Sequence, residues 1–400
     1  MAGAANRLWR RVLTRLALAV AILGAGPYLW SPIYRFPPAQ RFAGSQLWNP
    51  YAEAGGTWQR ANLHAHGRAW LGLTNGQQPG EQVVQRYRDL GYDIPGVSNY
   101  HSIAARHGVA TPALYEHGFN LGKSHQLALG ARAVDWFDFP LFQGLSHQQY
   151  VINRLKRTSD LVALAHPGTR DAYTGDTLEH LTGYDLIEVI NGPFVTDSVW
   201  DTALSSGHRV WALANDDTHD LEDPRRTAAA WTMIGASTTE TADIVNALKA
   251  GRSYAVLRTG AIGAAYVAAL DKVAVRDGTL SVSISSAPST FTFIGHGGVV
   301  RKTVRDATSA DYTFTEEDTY VRTVIASPQT RIYLNPVMRY EGALPSPTPE
   351  ATIDVAGTWL LRGSMGLSCL LLALVYARRR RVVSRPVTQP VLVGAKRNTA

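Results

Sequence analysis

Between positions 61 and 260, short apolar runs alternate with amphipathic stretches, and nothing else in the chain limits its fold so strongly. Runs rich in β-formers at Tyr92–Val97, Leu161–Ala165, Leu186–Ile190, Val210–Ala214 and Trp231–Ile234 predict strands. The intervening Gly80–Leu90, Ser146–Thr158, Asp197–Ser206 and Thr239–Ala250 predict helices, with Asp197 and Thr239 as caps and Gly91, Gly207 and Gly251 as stops. Strands separated by helices pair in parallel, because a parallel pair needs a long crossover between its members. The pattern predicts an α/β architecture, with closure into a barrel of parallel strands.

In such a barrel the C-terminal strand ends share one mouth, and here those ends carry imidazoles and carboxylates. In Asn62-Leu63-His64-Ala65-His66 an extended backbone turns His64 and His66 to one face and Leu63 and Ala65 to the other. Tyr92–Val97 runs into Tyr100-His101, and Ala110–Tyr115 into Glu116-His117. His125 opens Gln126–Leu129, His166-Pro167 follows Leu161–Ala165, and Asp216-Asp217-Thr218-His219 follows Val210–Ala214. Imidazoles mixed with carboxylates suit Zn, Mn or Fe, and a bridging carboxylate holds two ions about 3.5–4 Å apart. Two ions so held acidify a water and clamp both oxygens of a phosphoryl displacement, which makes hydrolysis the expected chemistry.

His64-Ala65-His66, Tyr100-His101, His166-Pro167 and Asp217-Thr218-His219 resemble the four ordered motifs of the PHP (polymerase and histidinol phosphatase) domain, over roughly 61–260. The resemblance implies a distorted (β/α)7 TIM-like barrel that holds two or three divalent ions and hydrolyses phosphoesters. It implies His64, His66, His101, Glu116, His125, His166, Asp217 and His219 as metal ligands, with Glu116 bridging. Two departures stand out. Thr74-Asn75-Gly76 occupies the place of the family's early Asp, and Tyr100 replaces the Asp before the second-motif histidine.

Asp217, His219 and Arg170 are the candidate catalytic residues, and Arg68, Lys123 and Arg170 the candidate phosphate contacts, since each lies next to a proposed ligand. Asp216 reads as a helix cap or as support for Asp217, and His117 as support or structure. Glu188 and Asn191 end another strand and are placed to orient ligands. Trp70, Tyr173 and Trp200 are candidates to line the cleft. His107, His147, His180, His208 and His296 read as surface or capping residues, and Gly295–Gly298 as a hairpin turn. The same scaffold also accommodates hydrolysis of non-phosphate bonds, or a binding module without turnover.

Beyond about position 260, short strand candidates (Tyr266–Leu270, Leu280–Ile284, Phe291–Ile294, Tyr312–Phe314, Tyr320–Ile325, Arg331–Leu334) follow one another without helices, which predicts a small antiparallel β-sandwich over 261–340. The Pro-containing 341–357 reads as a linker, and 42–60 as a connection. Two hydrophobic stretches flank this core, Leu16–Tyr34 and Leu361–Ala377, each near the length that crosses a bilayer. All of 1–41 and 359–400 lacks acids, whereas 42–358 carries 25 basic residues against 32 acidic ones. The formal charge of +7 therefore belongs to the ends. An acidic middle argues against nucleic-acid binding. Basic flanks place both termini in the cytoplasm and 42–358 outside it, with 378–400 as a basic tail. Residues 1–26 also fit a cleaved signal peptide. The single cysteine, Cys369, leaves the exported part free of thiols.

Overall fold

The computed structural model describes residues 2–53, 57–74, 76–104, 111–260, 269–285, 288–342 and 350–383. Asn75, His107, the start of the Tyr266–Leu270 strand candidate, the three linker prolines and the tail from 384 lie outside the described residues. The chain divides into two units, Met1–Ile353 and Asp354–Ala400.

The first unit is a mixed α/β structure. Seven strands surround the site: β1 (Gln59–Asn62), β2 (Ile94–Pro95), β3 (Leu114–His117), β4 (Gln126–Leu129), β5 (Leu161–Leu164), β6 (Leu186–Asn191) and β7 (Trp211–Asn215). β1 and β2 pair in parallel, as do β5 with β6 and β6 with β7. Helices α2 (Gly80–Asp89), α3 (Leu145–Thr158), α5 (Asp197–Ser205) and α6 (Thr241–Lys249) fall where the periodicity placed them. Gly91, Gly207 and Gly251 stop three of them in the left-handed region, at φ 79°, 83° and 71°. Val83 and Val84 of α2, Val151, Ile152 and Leu155 of α3, and Ile244 and Leu248 of α6 are buried. Each such side chain contributes about 1.5–3 kcal/mol.

Two features depart from the parallel barrel. First, β3, β4 and β5 are antiparallel neighbours; for β3 and β4 the reason is that only positions 118–125 separate them, too short for a crossover. Second, no continuous ladder closes the ring. The sheet β7-β6-β5-β4-β3 meets the β1–β2 pair through two isolated bridges, Ala65 with Thr218 and Tyr100 with Glu116. The chain beyond β1 and β2 stays extended there but delivers side chains to the site instead of pairing along its length.

The β1–β2 pair also belongs to a larger sheet. β8 (Ala230–Ile234) lies antiparallel to β1, β9 (Ser253–Arg258) to β8, and Thr330–Leu334 to β9. Through these strands the sheet continues into Tyr320–Ala326, Ser289–Gly295 and Val299–Ala307. A separate three-stranded antiparallel sheet of Leu270–Arg276, Thr279–Ile284 and Ser309–Thr313 shares a hydrophobic cluster with Phe291 and Phe293 of the larger sheet. Gly297 and Gly298, both at positive φ, sit in the turn between Ser289–Gly295 and its antiparallel partner. Arg322 fixes this half to α5: its guanidinium forks onto Asp201 at 2.7 and 2.6 Å and reaches Asp197 at 3.1 Å, under cover of Trp200. Trp200 is therefore core rather than cleft.

In the second unit, α7 (Val355–Val383) contains Val355–Arg378, long and apolar enough to cross a membrane. Among the described residues it is the one helix that has both the length and the hydropathy, where the sequence predicts two spans. The first hydrophobic stretch is helical as part of α1 (Ala2–Trp30), four of whose apolar-stretch side chains (19 and 21–23) lie outside the described residues.

Candidate metal centre

The site begins with the zipper between the extension of β1 and the loop after β7. Leu63 donates its amide to Asn215 Oδ1 at 2.6 Å, Asp217 donates to the His64 carbonyl at 2.8 Å, and His66 donates to the Thr218 carbonyl at 2.9 Å. The alternation does the rest: Leu63 and Ala65 enter the core, while His64 and His66 turn together toward Asp217.

Four atoms converge there. His64 Nε2 lies 3.2 Å from His66 Nε2, 3.2 Å from Asp217 Oδ1 and 3.4 Å from Glu116 Oε2. His66 Nε2 lies 3.3 Å from Asp217 Oδ1 and 3.0 Å from Glu116 Oε2. Four ligands placed tetrahedrally at the 2.0–2.1 Å typical of zinc would stand about 3.3 Å apart. The other oxygen of Glu116 faces the opposite way, 2.6 Å from His125 Nδ1 and 3.0 Å from His166 Nε2. Glu116 therefore presents one oxygen to each of two imidazole groups. Two overlapping sets, His64–His66–Asp217 and His64–Glu116–His166, have the geometry to hold a metal ion. A third, Asp176–Glu179–His180, is exposed on the short helix Gly175–His180.

Protein hydrogen bonds leave this cluster unsatisfied. Glu116 Oε2, Asp217 Oδ1, His125 Nε2 and His219 Nε2 are buried without a partner. Buried polar atoms are normally paired, so this concentration of bare lone pairs fits a cation. The imidazole tautomer supports the fit. His64 Nδ1 faces Glu188 Oε1 at 2.8 Å, which places the ring proton on Nδ1 and leaves Nε2 as a lone pair. Glu188 in turn accepts from the His166 amide and from Asn191 and Asn215 at 2.8, 3.1 and 2.8 Å.

The charges respond to one another. Burial alone would lower the His64 pKa, but Glu188, Asp217 and Glu116 together raise it well above the usual imidazole value, so a cation bound at Nε2 would take the place of the proton these carboxylates favour there. Asp217 and Glu116 are held far below the usual carboxylate range, because the surrounding imidazoles outweigh the burial that opposes ionisation. His219, stacked on His66 at 4.3 Å, is pushed down to about 4 by burial and by that neighbour, so it is neutral at pH 7. His166 and Asp217 take left-handed backbone, φ 30° and 49°, a strain of about 1–3 kcal/mol each of the kind found at working sites.

Several expectations need correction. His101 has no lone pair to offer: Nδ1 donates to the Asp135 carbonyl at 3.1 Å and Nε2 accepts the Gly118 amide at 3.0 Å. It braces the loop beside the site. Arg68 and Arg170 spend their guanidinium groups on the carbonyls of Gln77 and Leu121, on exposed loops. Lys123 comes nearer, its ammonium 5.9 Å from the Tyr100 ring. Asp216 caps no helix. Its carboxylate accepts the amides of Ala228, Ala229 and Ala230 and the Tyr87 hydroxyl, clamping the loop after Asp217, and burial pushes its pKa up to about 6. His117 is structural, between Gln126 and the Phe137 carbonyl. Tyr173 is buried and donates to the His125 carbonyl at 3.0 Å, while Trp70 lies on the exposed rim. His147 caps α3, and His208 is buried rather than on the surface.

Two residues gain a part that the sequence did not assign them, Tyr100, read only as a departure within its motif, and Arg226. Tyr100 stacks on His66 at 4.6 Å, and its backbone bridges that of Glu116. Arg226 holds Nη1 3.9 Å from Asp217 Oδ2 and donates to Asn191 Oδ1 at 3.1 Å. Its position in the loop that begins at Asp217 was the available signal.

No family model and no curated protein matches the chain. A crystal structure similar to it is that of a two-domain protein containing a predicted PHP-like metal-dependent phosphoesterase from Bacteroides vulgatus ATCC 8482. The two share 14% identity over 76% of this chain and 92% of that one, with a TM-score of 0.39. A likeness that low transfers no residue roles, and the functional reading rests on the geometry of the site.

Proposed function

We propose that the chain is a metal-dependent hydrolase of phosphoesters, in which His64, His66, Glu116, His125, His166 and Asp217 would hold two divalent ions (Zn, Mn or Fe). The supporting observation is the Glu116 carboxylate, with Oε2 among His64, His66 and Asp217 and Oε1 between His125 and His166. When bound, such ions supply an acidified water and neutralise charge on a phosphoryl group. The chain's own residues do the rest. Glu188 fixes the tautomer of His64. His219 donates Nδ1–H to the Asp217 carbonyl at 2.9 Å, which leaves Nε2 free at the mouth to take up or deliver a proton. Arg226 offers a guanidinium beside Asp217 for the equatorial oxygens of the substrate. Water adds across the P–O bond, its oxygen to phosphorus and a proton to the departing oxygen.

In the same reading α7 anchors the chain, with Arg378–Arg381 on the cytoplasmic side and the acidic 42–358 portion outside it. The test is a hydrolysis panel on the full chain in detergent with Mn or Zn, comparing phosphate mono- and diesters with carboxylic esters and amides. Release from phosphoesters alone supports the reading. Turnover confined to the other bonds, or none with metal bound, overturns it.

A further inference from the structure

One flank of the mouth is apolar and exposed, and contacts run along it without a break. Trp70 donates its indole N–H to the Tyr100 carbonyl at 2.8 Å, next to the ring stacked on His66. Its ring meets Trp136 at 5.5 Å, Trp136 stacks on His101, and His101 meets Phe119. Leu121 donates its amide to the Pro140 carbonyl, and the amides of Leu141 and Phe142 both donate to the Tyr28 hydroxyl at 2.9 Å. Trp136, Phe119, Leu121, Leu141 and Phe142 are each more than half exposed, as are Leu71 and Leu73 beside Trp70. Trp70 and Leu71 adopt left-handed backbone at φ 53° and 56°, which is unfavourable for bulky residues and turns Leu71 wholly to solvent.

The occupant of this flank is indicated by what it adjoins. Tyr28 lies near the end of α1, whose Leu13, Leu16, Leu18 and Val20 are all exposed. A helix with apolar side chains round its circumference is covered either by protein or by lipid, and among the described residues protein does not cover these. Tyr28 and Trp30 at its end are of the types that settle at a membrane interface. Lys123 and Arg170 on the same flank supply positive charge for anionic headgroups.

We propose that this flank docks on a lipid bilayer, and that the site takes its phosphoester from an amphiphile held in that bilayer. The proposal rests on the phosphoesterase reading for its chemistry and on the apolar flank for its substrate class. Hydrolysis needs only water, whose oxygen bonds to phosphorus while the lipid oxygen leaves with a proton.

The experiment uses the full chain reconstituted in phosphatidylcholine vesicles, offered either dioleoyl phosphatidate in the membrane or glycerol 3-phosphate in solution. Leu71→Ser with Leu73→Ser should lower kcat/KM on the membrane substrate by at least about tenfold and leave the soluble one within about twofold, since even one inserted leucine is worth about that much. A second readout is independent of turnover. Brominated acyl chains should quench a fraction of the fluorescence that disappears in Trp70→Phe with Trp136→Phe. An unchanged quenched fraction, or equal effects of the serine variant on both substrates, overturns the proposal. Quenching of these tryptophans with no turnover of either ester sinks the phosphoesterase reading and leaves the docking. Turnover without quenching does the reverse and points to a protein partner at the flank.

Discussion

His64 Nδ1 lies 2.8 Å from Glu188 Oε1, and both side chains are fully shielded from solvent. The carboxylate chooses the tautomer, and the tautomer decides whether Nε2 can bind a cation. Glu188→Gln keeps the size and an acceptor oxygen but removes the charge. Competition with a chromogenic chelator should show metal affinity about 10–100-fold weaker, the usual cost of losing such a supporting partner. Unchanged affinity would mean that Glu188 only packs.

Arg226 Nη1 lies 3.9 Å from Asp217 Oδ2, and Asn191 holds it in place. Arg226→Met should raise KM for a phosphate ester and lower kcat/KM by about 10-fold or more, as expected when a hydrogen bond to a charged group is lost. Metal content should stay at the wild-type level. A drop in metal content instead would give Arg226 a structural part.

Burial holds the pKa of Asp185 above the carboxylate norm, despite the amide of Val162 that it accepts at 2.9 Å. A carboxyl whose folded pKa is raised favours the fold in its protonated form, so its contribution is present below the unfolded value and is lost as pH rises through the folded value. Asp185→Asn should therefore melt higher than wild type at about pH 7, with the gap closing toward about pH 4. Thermal melts across that range check the sign. A gap that widens on acidification contradicts it.

Asp201 pairs with Arg322, the buried guanidinium that joins the strand Tyr320–Ala326 to α5. Asp201→Ala should destabilise by about 3–5 kcal/mol, because it strands a buried charge. Arg322→Met with Asp201→Leu should recover much of that loss. Urea unfolding of both variants measures the difference.

The sequence revealed what depends on neighbouring residues. Leu161–Leu164 and Trp211–Asn215 read as strands because each is a continuous apolar run buried on both faces, and His64 with His66 reads as a pair because strand side chains alternate. What it hid depends on residues far apart in the chain. The hydrogen bonds that occupy His101 come from Gly118 and Asp135, and neither is visible from a Tyr-His motif. The reversal of β3 against β4 follows from the shortness of 118–125, a cue outweighed by the expectation of parallel pairing. β9 is not among the strands the sequence predicts, and it pairs with Thr330–Leu334, so the sheet runs on where the composition changes. Arg226 sits in an unremarkable Arg-Arg pair, and only the loop clamped by Asp216 brings it to Asp217.

The account turns on whether His64, His66, Glu116, His166 and Asp217 hold ions together. Elemental analysis of the purified full chain, set beside His64→Ala with His66→Ala, tests this most directly. Two ions per wild-type chain, with loss of metal and of phosphoester hydrolysis in a variant that keeps its circular dichroism, is the predicted result. A folded double variant that retains the full metal content would contradict it.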